Sequence, residues 1–266
     1  RATVPLLKTR WLAKKDNKRV LLTMEPDADR KAVIFCIDRH VVAGGKTPAH
    51  RKEHDQTSGA GTMSRSGAKC PCCGTLITME DIRFEGRGGR LGEVMTAVVV
   101  DGQKGKEYRL PTPHEIAMAE AAGAEMERVF KDVPFGLPEE QTPKGGNGAA
   151  RAFSVDGYGF DQWKKLFTPR QLVAIATFIS AIRKLPAREV GNIQIDSIRA
   201  LMAIALDRAV NYLSMICIWE PKASEVKQTF LRYALPVTWD FAEGNPLSIT
   251  DRYWNGAISS IALVAE

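Results

Sequence analysis

Lys69-Cys70-Pro71-Cys72-Cys73-Gly74 is the stretch of this sequence that gathers several metal-capable side chains into one tight turn. Cys70 and Cys73 form a C-x-x-C pair followed by glycine, the shape of a zinc knuckle. Two thiolates share one turn, and the glycine lets the backbone curl back towards a metal. A tetrahedral structural zinc takes four ligands, and this turn supplies two, or three with Cys72. A redox pair, or a merely small and buried one, is the competing reading. The C-P-x-C-G form and the missing thioredoxin-like context favour zinc. Cys72, between the two, is expected to point away.

Three sources could complete the set. Cys36 stands alone in a strand-like run and reads equally as a small core residue. His50 and His54 have the spacing that puts two imidazoles on one helix face. Their surroundings are polar and glycine-flanked, however, and residues 43–67 read as a mobile exposed loop. The third source is a pair outside the chain.

Lys and Arg outnumber Asp and Glu by 37 to 31, and the isoelectric point is near 9.1. That balance favours an anionic partner, nucleic acid first. The cations concentrate before residue 110. Five cysteines, an odd number with three inside four positions, do not make a secreted disulfide framework. No apolar run of about 18 residues is present, which argues against a membrane span. The start lacks the apolar core of a signal peptide. A cytoplasmic location is expected. The first residue is Arg1 and the last leaves a helical pattern, so a fragment of a longer protein is expected too.

The pattern predicts an α+β chain: a small β-rich, zinc-ribbon-like module over 1–110, a helix and Pro/Gly-rich linker over 111–150, and a mostly helical region over 151–266. Val20–Met24 and Ala32–Ile37 read as strands joined by a hairpin loop at Glu25–Asp29. Val94–Val100 reads as the best strand, ended by Asp101-Gly102, with Tyr108–Leu110 pairing back. Thr112-Pro113-His114-Glu115 and Thr168-Pro169-Arg170-Gln171 are capping boxes that open helices. The longest helix is expected from Asp196 to Trp219, before Pro221. Ser224 is read as the cap of a short helix reaching Ala234, Val237–Phe241 as extended, and Thr250 as the cap of a last helix, Tyr253–Val264.

Gly86-Arg87-Gly88-Gly89-Arg90-Leu91-Gly92 is a candidate phosphate cradle, with a plain glycine hairpin as the alternative. Gly59-Ala60-Gly61 has the same two readings. Gly244-Asn245-Pro246-Leu247 lacks the second proline and the aromatic of an amino-methyltransferase motif and reads as an Asn-Pro turn. No nucleophile–base set and no P-loop is visible.

Several stretches together resemble the zinc-ribbon-containing adenine-specific DNA methylases. They are Val4–Leu7 with Trp11–Lys15; Gly61–Arg65 leading into Cys70–Gly74; Ile82-Arg83 with Gly86–Gly92; Tyr158-Gly159 with Trp163 and Leu166–Leu172; and Ala205–Arg208, Ala234–Pro236 and Trp239–Pro246. The resemblance implies that this chain is the middle of a larger α/β methyltransferase. The family's first C-x-x-C knuckle lies just before its Val-Pro-Leu segment and would fall immediately upstream of Arg1 here, its glycine-rich S-adenosylmethionine motif further upstream, and its Asp-Pro-Pro-Tyr motif beyond Glu266. No catalytic or cofactor-binding residue would then fall in this chain. Cys70 and Cys73 would be zinc ligands, and Arg83, Arg87 and Arg90, in basic loops, would contact DNA.

The implied activity of the parent protein is methyl transfer from S-adenosylmethionine to adenine N6 in DNA, with restriction or phage-defence proteins as further partners. The rival is a non-catalytic zinc-ribbon adaptor that binds nucleic acid or protein.

Overall fold

The structure, a computed structural model, describes residues 2–145, 152–186, 195–231, 233–250 and 252–265. Gly146 and Gly148 of the expected linker lie outside the described residues, as does Arg1. Among those described, six α-helices accompany one three-stranded and three two-stranded antiparallel sheets, a mixed α+β chain. The chain divides into two units. One comprises Arg1–Ile116 with Gly157–Gly159 and Trp219–Glu225, the other Ala117–Asp156, Phe160–Ile218 and Val226–Glu266.

In the first unit, β1 (Trp11–Lys15), β2 (Lys18–Pro26) and β3 (Val33–Asp38) form the antiparallel sheet. Lys15 pairs with Lys18, so Asp16-Asn17 is a two-residue turn, and Pro26 pairs with Val33 across the expected hairpin loop. Strand β3 alternates: Val33, Phe35 and Ile37 are half-buried, whereas Ile34, Cys36 and Asp38 face solvent. Cys36 is therefore an exposed residue and not a core one. Ala13, Val20 and Tyr108 form a core against Leu12, Ile37, Val99 and Trp219. Each large apolar side chain buried there contributes roughly 1.5–3 kcal/mol.

Helix α1 (Pro48–Ser58) occupies the stretch read as a mobile loop. Its start is legible in hindsight. Thr47 is the N-cap, its hydroxyl accepting from the His50 N–H at 3.3 Å, and Pro48 opens the first turn. The absence of apolar residues hides it, since no side chain of α1 is buried.

β4 (Gly67–Lys69) and β5 (Leu76–Thr78) flank the knuckle, and α2 (Met79–Arg87) follows directly. Ile82-Arg83-Phe84 are thus helical and not part of a β-rich run. Thr78 and Asp81 form a reciprocal capping box that starts the helix. β6 (Val98–Gly102) pairs with β7 (Gly105–Arg109), beginning four residues later than the apolar run suggests and incorporating Asp101-Gly102. The Thr112 box opens α3 (Pro113–Phe130), where Glu115 takes both Arg109 N–H groups at 2.6 and 2.8 Å and the Thr112 N–H at 2.8 Å. The Arg109 bonds come first among the causes that hold its carboxyl down at about 2.

In the second unit, the Thr168–Gln171 box opens α4 (Pro169–Arg183) as expected. Helix α5 (Ile195–Val210) packs between α4 and α6 (Trp254–Ala265). It stops nine residues before Trp219. Leu213, Ile216 and Cys217 are buried, but in tight turns: Tyr212 N–H bonds Ala209 O and Leu213 N–H bonds Val210 O. The buried Ser214, Cys217 and Thr229 side chains form a polar knot there. No helix follows Ser224, which has φ +57° and precedes the second strand of a short pair, β8 (Trp219–Glu220) and β9 (Glu225–Val226). Its hydroxyl instead receives the Tyr108 hydroxyl at 3.0 Å. Phe241 bridges Ile218, while Trp239-Asp240 is a turn, so only part of the expected extended run exists. Among the described residues the buried Thr250 hydroxyl has no hydrogen-bond partner, so it caps none of their N–H groups. No described helix is long and apolar enough to cross a membrane.

Candidate metal centre

The knuckle is the tip of the β4–β5 hairpin. Lys69 pairs with Leu76, the Cys70 N–H donates to Thr75 O at 2.9 Å, and the Gly74 N–H donates back to Cys70 O at 2.9 Å. Gly74 has φ +77°, the left-handed conformation that the turn needs at this position. The sequence reading of the turn and its glycine agrees with this geometry.

The three thiols differ. Cys70 is buried and Cys73 exposed. Cys73 Sγ lies 3.3 Å from Thr75 Oγ1, and the Thr75 hydroxyl and N–H, followed by Cys70, pull its pKa below the ordinary thiol value. Burial, then the nearness of Cys70, pushes the Cys72 thiol up. Cys72 does turn aside, but inwards: it is buried, and its S–H donates to Ala32 O at 3.3 Å. The hairpin therefore sets an exposed thiol of lowered pKa beside Cys70 and holds the third thiol in its neutral form.

The N-terminal segment runs beside this hairpin. Thr3 N–H donates to Lys31 O at 2.8 Å, one residue from the carbonyl that Cys72 meets. The buried Thr62 hydroxyl donates to Pro5 O at 2.6 Å and accepts from Leu7 N–H at 2.9 Å, while Thr62 O accepts from Lys69 N–H. The residues just before Cys70 and those of Thr3–Leu7 thus share one hydrogen-bonded web. Neither Thr62 nor Ala32 carries a signal that sequence reasoning could use.

Zinc fits half of what is present. Cys70 and Cys73 supply two thiolates from a suitable turn, yet among the described residues no group of three or more His, Cys, Asp or Glu side chains could hold a metal ion. The structure does not bring Cys36, His50 or His54 to the knuckle. His50 and His54 do sit on a helix, over Gly44 and Gly45, where an added Cβ would strike them.

Arg83 and Arg87 lie on α2 and are not loop residues, whereas Arg90 follows the helix end and does lie in a loop. Each already has an acid. Arg83 and Arg87 reach Glu80 at 3.5 and 3.1 Å, and Arg90 reaches Glu85 at 2.5 Å. Arg83 also lies over the Tyr158 ring and Arg90 over Phe84. Exposed pairs of this kind are worth about 0–1 kcal/mol, and a phosphate could displace the carboxylates.

The glycines here are structural. A Cβ on Gly86 would come within 2.3 Å of Tyr158 O, and Gly89, at φ +67°, ends the helix as Arg90 N–H bonds back to Glu85 O. They build a close approach and a helix exit, which removes the phosphate cradle. Gly59 and Gly61 serve the same purpose against Trp11 and Leu7. In the second unit, Asn245 Oδ1 accepts from Leu247 N–H at 3.0 Å, an Asx turn that agrees with the Asn-Pro reading. Glu243 beside it is held by Arg170 at 2.6 Å and Thr168 at 3.2 Å.

No family model, no curated protein and no solved structure matches the chain.

Proposed function

We propose that this chain is the central part of a DNA methyltransferase that moves a methyl group from S-adenosylmethionine to adenine N6. Its own share is a structural zinc half-site and a DNA-holding surface. Cys70 and Cys73 hold the ion, whose role is to pin the hairpin tip. In this reading the other two ligands are a second cysteine pair of the parent protein, upstream of Arg1. The target base is flipped out of the duplex, and no residue of this chain is assigned to S-adenosylmethionine or to methyl transfer.

The observation that supports this reading most is the web joining Thr3–Leu7 to Lys69 and the knuckle. A partner knuckle upstream of Val4 would be delivered to the place where two ligands are missing. The charge distribution adds support: residues 1–116 hold 21 Lys and Arg against 14 Asp and Glu, residues 117–266 hold 16 against 17.

The test uses the 266-residue chain and its parent in parallel. The parent should carry one zinc per chain by elemental analysis and lose it on Cys70→Ser/Cys73→Ser substitution. The 266-residue chain should transfer no label from methyl-labelled S-adenosylmethionine to duplex DNA. Full zinc retention by the double variant sinks the metal assignment, and methyl transfer by the chain alone sinks the fragment reading.

A further inference from the structure

Helix α1 presents a physical puzzle. It buries no side chain, so it contributes nothing to a core. Yet it is firmly attached. The Trp11 indole N–H donates to Asp55 O at 2.9 Å, and the Arg10 guanidinium donates to Ser58 O at 2.7 Å and Ala60 O at 2.8 Å. The Asp55 carboxylate takes Arg19 by a direct ion pair, with Lys14 at 3.9 Å. The Arg19 guanidinium stacks on Trp11, 4.7 Å from the ring centroid, with its side chain only 10% exposed.

A helix polar on every side that does not pack as core is unusual in a small unit. Asp55, one of its two acids, is consumed beneath. Lys46, Arg51 and Lys52 are exposed, and among the described residues no carboxylate pairs with them. Glu53 is the remaining acid. The first turn carries no acid either, so the positive end of the helix dipole is left unopposed. The α2 arginines, in contrast, are all matched by Glu80 and Glu85.

We infer that α1 is the element that docks on the phosphate backbone of duplex DNA, through Lys46, Arg51 and Lys52. This rests on the reading of DNA as the partner and names the surface that meets it. Asp55 acts as a positioning residue only in tying the helix to Arg19 and Lys14. The docking carries no sequence information and holds the duplex in register.

Binding of a fluorescent 20-base-pair duplex to the 266-residue chain, followed by anisotropy across a potassium chloride series, tests this. Each phosphate that the protein neutralises adds about 0.9 to the steepness of log affinity against log salt. Lys46→Ala/Arg51→Ala/Lys52→Ala should therefore flatten the slope by about 2–3 and weaken binding at least about tenfold at low salt. Lys46→Arg/Lys52→Arg should keep both, and far-UV circular dichroism of the triple variant should match the parent chain. Wild-type slope and affinity in the triple variant would overturn the role of α1 while leaving the DNA reading intact. So would Arg83→Ala/Arg87→Ala/Arg90→Ala taking the whole salt dependence, or polyglutamate displacing the duplex as well as unlabelled DNA does. A wild-type chain that does not bind the duplex at all would instead remove the DNA reading itself.

Discussion

Helices α1 and α2 lie in the same unit, each with an N-terminal threonine cap and two or more basic side chains, and they are built on opposite principles. Helix α2 is joined by close packing: Ile82 and Gly86 are buried, and its arginines are neutralised by its own glutamates. Helix α1 is joined by charge and hydrogen bonds, with its cations left over. A run of charges therefore says little about binding until its partners are known. Arg83, Arg87 and Arg90 look in sequence like the better DNA contacts, while Lys46, Arg51 and Lys52 look like loop decoration. The ion pairs set the two groups apart: the first is matched by Glu80 and Glu85, the second by no carboxylate among the described residues.

The contrast can be broken at its attachment points. Gly86→Ala places a methyl within 2.3 Å of the Tyr158 carbonyl, a backbone atom with no rotamer to yield. It should cost about 3 kcal/mol of unfolding free energy by urea titration. A loss below about 0.5 kcal/mol, the range of an unremarkable surface change, would mean that α2 is not seated by backbone approach.

Asp55→Ala attacks α1 instead. Breaking a fully buried ion pair costs about 3–5 kcal/mol. With side-chain exposures of 10% and 17% for Arg19 and Asp55, about 2 kcal/mol is expected, together with faster hydrogen exchange confined to residues 47–59. Unchanged exchange there would show that the carbonyl bonds from Trp11 and Arg10 suffice.

The smallest effect separates the two caps. Thr78→Ala should destabilise by about 1 kcal/mol and Thr47→Ala by less, since Thr47 lacks a reciprocal carboxylate. Their acid responses should differ as well. Bonds from the Thr78 hydroxyl and N–H hold Asp81 below its ordinary value of 3.8. A depressed carboxylate contributes stability above the unfolded value that is lost as pH falls through the folded one. Protection of α2 amides should thus weaken below about pH 4, while the α1 cap, with His50 at the third position, has no carboxylate to lose. An acid response of the α2 amides that survives Asp81→Asn would discard the role of that carboxylate.

The sequence is most legible where structure is local. Thr112-Pro113 with Glu115 and Thr168-Pro169 with Gln171 specify their own helix starts, because cap and backbone lie within one turn. Thr47-Pro48 carries the same signal, obscured by the absence of apolar residues after it. The α5 end misleads for the opposite reason. Leu213 and Ile216 continue the apolar spacing, but Ser214 finds Thr229 fifteen residues away and the chain turns to meet it.

At the knuckle, Cys70, Cys73 and Gly74 follow from the sequence alone, since a two-cysteine turn needs only adjacent residues and one left-handed glycine. What the tertiary structure decided is everything that depends on a distant partner. Ala32 draws Cys72 inward, Thr62 ties Pro5 and Leu7 to the hairpin, glutamates take the α2 arginines, and Asp55 ties α1 to Arg19. Short-range geometry is written in spacing. The partner of a charge or a thiol depends on which strands the folded chain lays side by side.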